Sequence, residues 1–214
     1  MNENQKKQPF RVMKDPRGFI RRVLLEKQPL HWVLAFLVGA VWLFSKAYTY
    51  ILGFKYSVVT ITLGSLLLAI PVGFVLIYLT SYLLYITGKV FKGQGTYPEI
   101  TEAYAWSRVP ELFVLLSWLI MVGLYGQKMF TPILTTGAVP ILVFGLLLIQ
   151  IIFWLWQSVI LFHTLGEVQK FSAWVAIWNV LLAWLILVVL DNSLDWVVIK
   201  GLNLRPMAVR FLQF

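Results

Sequence analysis

Five long stretches of the chain contain no Lys, Arg, Asp or Glu, and short charged segments separate them. The uncharged stretches are residues 28–45, 56–88, 112–127, 129–166 and 171–190. About 20 helical residues cross the hydrocarbon core of a bilayer, so each stretch can supply one span. The apolar runs are continuous, unlike the alternating strands of a membrane barrel. The pattern predicts an all-α integral membrane protein, a bundle of about five transmembrane helices with short amphipathic interfacial helices.

A membrane domain at residues 30–190 is expected to contain all of the spans. The predicted spans are residues 30–51, 58–86, 109–127, 139–162 and 171–190. The first span can run past Lys46 if the Lys46 amine reaches the interface. The third span can begin before Glu111 if the Glu111 carboxylate lies at the depth of the lipid headgroups. The longest stretch, residues 129–166, supplies one span and not two, because prolines at 132 and 140 favour a loop followed by a helix start. Pro71 predicts a kink in the second span, which is favoured over a broken, substrate-binding helix.

Two tails flank this domain: a basic segment at residues 1–29 and a short C-terminal segment at residues 191–214. Asp15 and Pro16 suit a helix cap and a first helical position, and Phe19, Ile20 and Val23 fall on one side of the helix that follows. The expected structure is an interfacial helix. The side chains predicted to contact anionic lipid are Arg17, Arg21, Arg22 and Lys27.

Composition supports a membrane protein, because 60% of the residues are hydrophobic and only 13% are charged, against roughly a quarter charged in soluble domains. The net charge is +9, and the basic tail adjoins a span without any nucleic-acid recognition motif, so nucleic acid is not an expected partner. If the N-terminus lies in the cytoplasm, two thirds of the 18 Lys and Arg residues lie on the cytoplasmic side, as the positive-inside rule requires. Five spans then leave the C-terminus outside.

The segment between the second and third spans combines glycines with a helix start. The residues assigned to the structure of this cytoplasmic loop are Gly93, Gly95, Thr96, Glu99 and Pro110. The glycines permit a tight turn, and Thr96 and Glu99 have the spacing of a capping box. A phosphate-binding loop requires Lys-Ser or Lys-Thr after its last glycine, whereas Gln94 follows Gly93. We therefore expect the loop to have a structural role.

No catalytic, cofactor-binding or metal-binding residues are predicted. The chain has no Cys, which excludes disulfides and thiolate chemistry. Its two histidines, His31 and His163, lie in no recognisable catalytic motif. His163 and Glu167 are four residues apart and could hold a metal or relay a proton, and Asp191 and Asp195 have the same spacing. Metal sites normally need three or more protein ligands, so ordinary interfacial residues are the favoured interpretation.

The polar side chains deep in the spans are amides: Gln150, Gln157 and Asn179. Gln150 and Gln157 are one heptad apart and project from one face of the fourth span. Such groups either hydrogen-bond between helices or line a polar pathway. Since no mid-depth charge accompanies them, as ion-coupled transport usually requires, interhelix bonding is the favoured interpretation.

Three motifs resemble the Yip family of five-span membrane proteins, in its prokaryotic form. They are the segment from Asp15 to Arg22, the glycine loop from Gly88 to Pro110, and a patch from Leu165 to Ala176. The resemblance implies a compact five-helix domain in the inner membrane. Eukaryotic relatives act in vesicle traffic through small GTPases. This chain has only about thirty residues before its first span, so GTPase binding is not expected.

The favoured function is a non-enzymatic membrane scaffold or lipid-organising protein. It is expected to act through anionic lipids and through an unknown membrane protein partner or a second copy of itself. The first alternative is a small transporter or channel subunit that uses the face of the three amides. A membrane enzyme is the second alternative.

Overall fold

A computed structural model describes residues 9–26, 31–131 and 141–201. Its α-helices are α1 (Pro16–Glu26), α2 (His31–Thr49), α3 (Val58–Val90), α4 (Tyr97–Ser107), α5 (Glu111–Tyr125), α6 (Ile141–Gln169) and α7 (Ala173–Gly201). Short 3-10 turns lie at Pro9–Met13, Leu52–Phe54 and Gly126–Phe130, and these described residues include no β-strand. Helices α2, α3, α6 and α7, and α5 together with the 3-10 turn that continues it to Phe130, are each long and apolar enough to cross a membrane. The predicted all-α, five-span fold is confirmed.

Two spans continue beyond their predicted ends. Helix α6 runs past residue 162 to Gln169, and α7 runs past residue 190 to Gly201. Asp191 therefore lies within α7, where its Oδ2 is 2.7 Å from Nζ of Lys46. A paired charge at the end of a span does not terminate a helix. Helix α3 passes through Pro71 without interruption, and the predicted loop from 132 to 140, Lys27 and the tail from 202 to 214 lie outside the described residues.

Helices α2 and α3 approach each other at backbone distance. A Cβ added at Gly39 would overlap the carbonyl oxygen of Ala69, and one added at Gly73 would overlap that of Ala35. The two pairs, Ala35 with Gly39 and Ala69 with Gly73, each have small residues four apart on one face. Spacing of this kind lets membrane helices approach until their backbones touch. Small side chains therefore set the distance between the first two spans.

Helices α1 and α4 form a layer across one end of the bundle, which we call the α1–α4 layer. Asp15 caps α1, with its Oδ1 accepting from the Gly18 N–H at 2.9 Å. Phe19 and Ile20 of α1 are buried, and the Phe19 ring meets Trp106 of α4 edge-on at 5.0 Å. Helix α4 in turn packs on α3 and α6. The apolar face of α1 is thus covered by protein, whereas the sequence analysis expected it to lie at the lipid interface.

Candidate functional site

The glycine loop folds around a buried side-chain amide. A Cβ at Gly88 would collide with Nε2 of Gln169, and one at Gly93 would collide with its Oε1. Gln169 is 1% exposed. Its side-chain Nε2 donates to the Leu84 backbone carbonyl at 3.3 Å, and its backbone carbonyl accepts from the Gln94 N–H at 3.1 Å. The two glycines therefore make room for an amide from the end of α6.

The remaining loop residues start the next two helices. The backbone N–H of Thr96 donates to Oε2 of Glu99 at 2.8 Å, which completes a capping box at the start of α4. Gly95 lies against Val168, and Pro110 occupies the N-cap position of α5. All five residues that the sequence analysis assigned to this loop lie in its turn or at the helix starts that follow.

A bidentate ion pair joins α1 to α6. Nε and Nη2 of Arg21 lie 2.7 Å and 2.9 Å from the two carboxylate oxygens of Glu167. This carboxylate raises the pKa of the Arg21 guanidinium, mainly through the hydrogen bond. Arg22 lies 3.9 Å from Asp15, so two of the predicted lipid-contacting arginines also pair within the protein. Arg17 is exposed.

Glu167 is accordingly paired with a base instead of forming a ligand pair with His163. Nδ1 of His163 lies 2.8 Å from the Val159 carbonyl oxygen of its own helix. Within residues 9–26, 31–131 and 141–201, no group of three His, Asp or Glu side chains has the geometry to hold a metal ion.

The three predicted amides have different partners. Nε2 of Gln150 donates to the Ser117 hydroxyl at 2.9 Å and so joins α6 to α5. Asn179 accepts from the Thr87 hydroxyl at 2.5 Å and donates to the Leu84 carbonyl at 3.3 Å, which joins α7 to α3. Gln157 is 5% exposed, and its Oε1 has no hydrogen-bond partner among the described residues. Gln150 and Asn179 hold helices together, and Gln157 lines a cavity that Gln150 also borders.

This intramembrane cavity has a volume of about 680 Å³ and lies between the five spanning helices and α4. Its walls are mostly apolar, and its polar side chains include Thr80, Gln150 and Gln157 at intermediate depth. Arg108 and Glu111 line its end near the α1–α4 layer, and Asp191 lines the opposite end. Pockets that hold small molecules have volumes of about 300–1,000 Å³. The cavity is therefore large enough for a ligand.

Arg108 and Glu111 form a half-buried charge pair in this wall. Nη1 of Arg108 lies 3.5 Å from Oε1 of Glu111, and the guanidinium lies 4.3 Å above the Tyr104 ring. The Glu111 residue is 6% exposed. The sequence predicts neither residue as part of a site and places Glu111 at headgroup depth. The sequence does contain a signal for this pair, since an Arg and a Glu three residues apart stand at the start of an apolar span.

Comparison with known proteins places this architecture in a family. The chain matches the family described as Yip1 domain over residues 10–190. This range includes α1, α4 and the five spans up to the middle of α7. No curated protein and no solved structure matches the chain. Because the match extends over most of the 214 residues, the chain belongs to the Yip1 domain family of membrane proteins.

Proposed function

We propose that this protein is a non-enzymatic organiser of the membrane, which gathers anionic lipids around the α1–α4 layer and engages a membrane protein partner or a second copy. The proposal rests on a difference between acidic and basic side chains at this end of the bundle: the acidic ones are paired within the protein, and many of the basic ones are exposed. Several acidic side chains there have partners inside the protein: Glu99, Glu102, Glu111 and Glu167. Exposed bases lie at the same end: Lys14, Arg17, Lys89 and Lys92, together with Lys170, whose Nζ lies 3.4 Å from Oε1 of Glu167.

This arrangement leaves a positive surface facing outward. Each base near an anionic leaflet contributes about 1 kcal/mol of attraction. The positive-inside bias then orients the α1–α4 layer toward the cytoplasm, in the inner membrane, and the C-terminus toward the outside.

The proposed orientation predicts on which side of the membrane two reporter fusions should lie. A reporter joined after Lys92 should lie in the cytoplasm, and one joined after Phe214 should lie outside, because an odd number of spans separates the N-terminus from the C-terminus. Activity of a phosphatase reporter and fluorescence of a cytoplasmic reporter measure the two positions. Both fusions on the same side would contradict the orientation.

Lipid selectivity tests the proposed function. We expect the full chain, reconstituted with spin-labelled lipids, to immobilise more phosphatidylglycerol than phosphatidylcholine, and salt to reduce this preference. The combined change Arg17→Gln, Lys89→Gln and Lys92→Gln should remove most of it. Lys128→Gln, an exposed base at the opposite end, is the control and should retain it. A wild type without preference, or a triple variant with unchanged preference, would overturn the proposal.

Solute transport is the competing function, and it is favoured by the cavity and by Oε1 of Gln157, which has no hydrogen-bond partner among the described residues. The same proteoliposomes should remain impermeable to small solutes if the protein organises lipid. A flux that Gln157→Leu abolishes without lowering thermal stability would instead assign the protein to transport.

A further inference from the structure

We propose that the intramembrane cavity binds one phospholipid whose headgroup carries an amine, with the headgroup held by Arg108 and Glu111. This inference goes beyond the surface attraction proposed above, because it concerns a defined site inside the bundle with the opposite headgroup preference. It rests on the cavity and its lining residues and does not depend on the exposed bases.

The first observation is a concentration of unsatisfied polar atoms. Four of the ten buried side-chain atoms that lack a hydrogen-bond partner among the described residues belong to side chains that line this cavity. They are Nε of Arg108, Oε2 of Glu111, Nε1 of Trp118 and Oε1 of Gln157. Buried polar groups are normally hydrogen-bonded, since an unmade bond is costly. A polar ligand in the cavity would supply the missing partners.

The charges at the end of the cavity indicate the chemistry of that ligand. A guanidinium is the preferred partner of phosphate, and a carboxylate pairs with an ammonium group. In this wall the two groups lie 3.5 Å apart, so a headgroup that carries both charges close together would meet both. A headgroup with only negative charge would place its phosphate beside the Glu111 carboxylate, which would repel it. The site therefore favours an aminophospholipid over phosphatidylglycerol.

The remaining walls favour a lipid over a soluble solute. Trp154 and Trp184 line the cavity and are 55% and 52% exposed. Both lie well inside membrane-spanning helices, so the surface that they expose lies at the depth of the acyl chains. Val38, Leu76 and Leu147 continue the apolar wall between the helices. An acyl chain can enter from the bilayer along this wall, whereas a soluble solute would have to cross it.

Native mass spectrometry of the full chain tests the site. The protein is delipidated in a mild detergent and then incubated with equal amounts of phosphatidylethanolamine and phosphatidylglycerol that have identical acyl chains. We expect one phosphatidylethanolamine to remain bound per chain, in preference to phosphatidylglycerol. Glu111→Gln should lower the ratio of bound phosphatidylethanolamine to phosphatidylglycerol about tenfold, because the ammonium group loses its charged partner.

Two further variants keep the test decisive. Arg108→Gln should lower phosphatidylethanolamine retention even if Glu111→Gln does not fold. Glu102→Gln is the matched control, because this carboxylate lies 2.8 Å from His31 and does not line the cavity, so retention should not change. Absence of retained lipid, equal retention of both lipids, or retention unaffected by both cavity variants would overturn the inference. The exposed-base variants should leave this retention unchanged, so the two proposals can fail separately.

Discussion

Gly73→Ala is expected to lower the free energy of unfolding by about 1–3 kcal/mol, the usual cost of overpacking a closely packed interior. The added Cβ would overlap the carbonyl oxygen of Ala35. This oxygen belongs to the backbone of α2, so the clash cannot be relieved by turning a side chain. The two helices must separate, and they would lose contacts along their length. Thermal unfolding in detergent, followed by tryptophan fluorescence, measures the loss.

Gly64→Ala is the matched control, because Gly64 lies in the same helix and, apart from its own helical turn, none of the described residues comes within 4 Å of its added Cβ. Alanine has a higher helix propensity than glycine by about 1 kcal/mol, so this variant should keep or slightly exceed the stability of the wild type. Equal losses in both variants would show that the α2–α3 contact does not limit stability.

Gly93→Ala is expected to destabilise the loop by a similar amount, about 1–3 kcal/mol, the cost of leaving a buried amide without its partner. The added Cβ would collide with Oε1 of Gln169 and would lie 3.0 Å from the Gly88 carbonyl oxygen. To escape, the amide must leave its buried position and lose its bond to the Leu84 carbonyl. The Gly93 backbone is not in the left-handed region, so the effect comes from space alone.

A double-mutant cycle with Gln169→Ala identifies the cause. The smaller side chain vacates the space that the new Cβ needs, so the combined loss should be less than the sum of the two single losses. Gly123→Ala in α5 is the control and should change little, because its added Cβ meets no other side chain or helix within 4 Å in the part of the chain that the structure describes. Strictly additive losses would contradict the contact between the glycine and the amide.

The sequence alone determined the class of the protein, the number of spans and the helix starts of the glycine loop. Lipid imposes a length and a composition on every span, and both are local properties of a chain. Thr96 and Glu99 were recognisable for the same reason, since a capping box is contained within four residues.

Only the tertiary structure decided what covers each surface. The apolar side of α1 has the same pattern whether lipid or Trp106 covers it. Gln150 and Gln157 share a helix face and line the same cavity, yet of the two only Gln150 reaches Ser117. Gly93 and Gln169 meet although 75 intervening residues separate them in the chain. Periodicity tells which side of a helix is apolar, but the neighbour of that side is set by the packing of distant segments, which no local pattern contains.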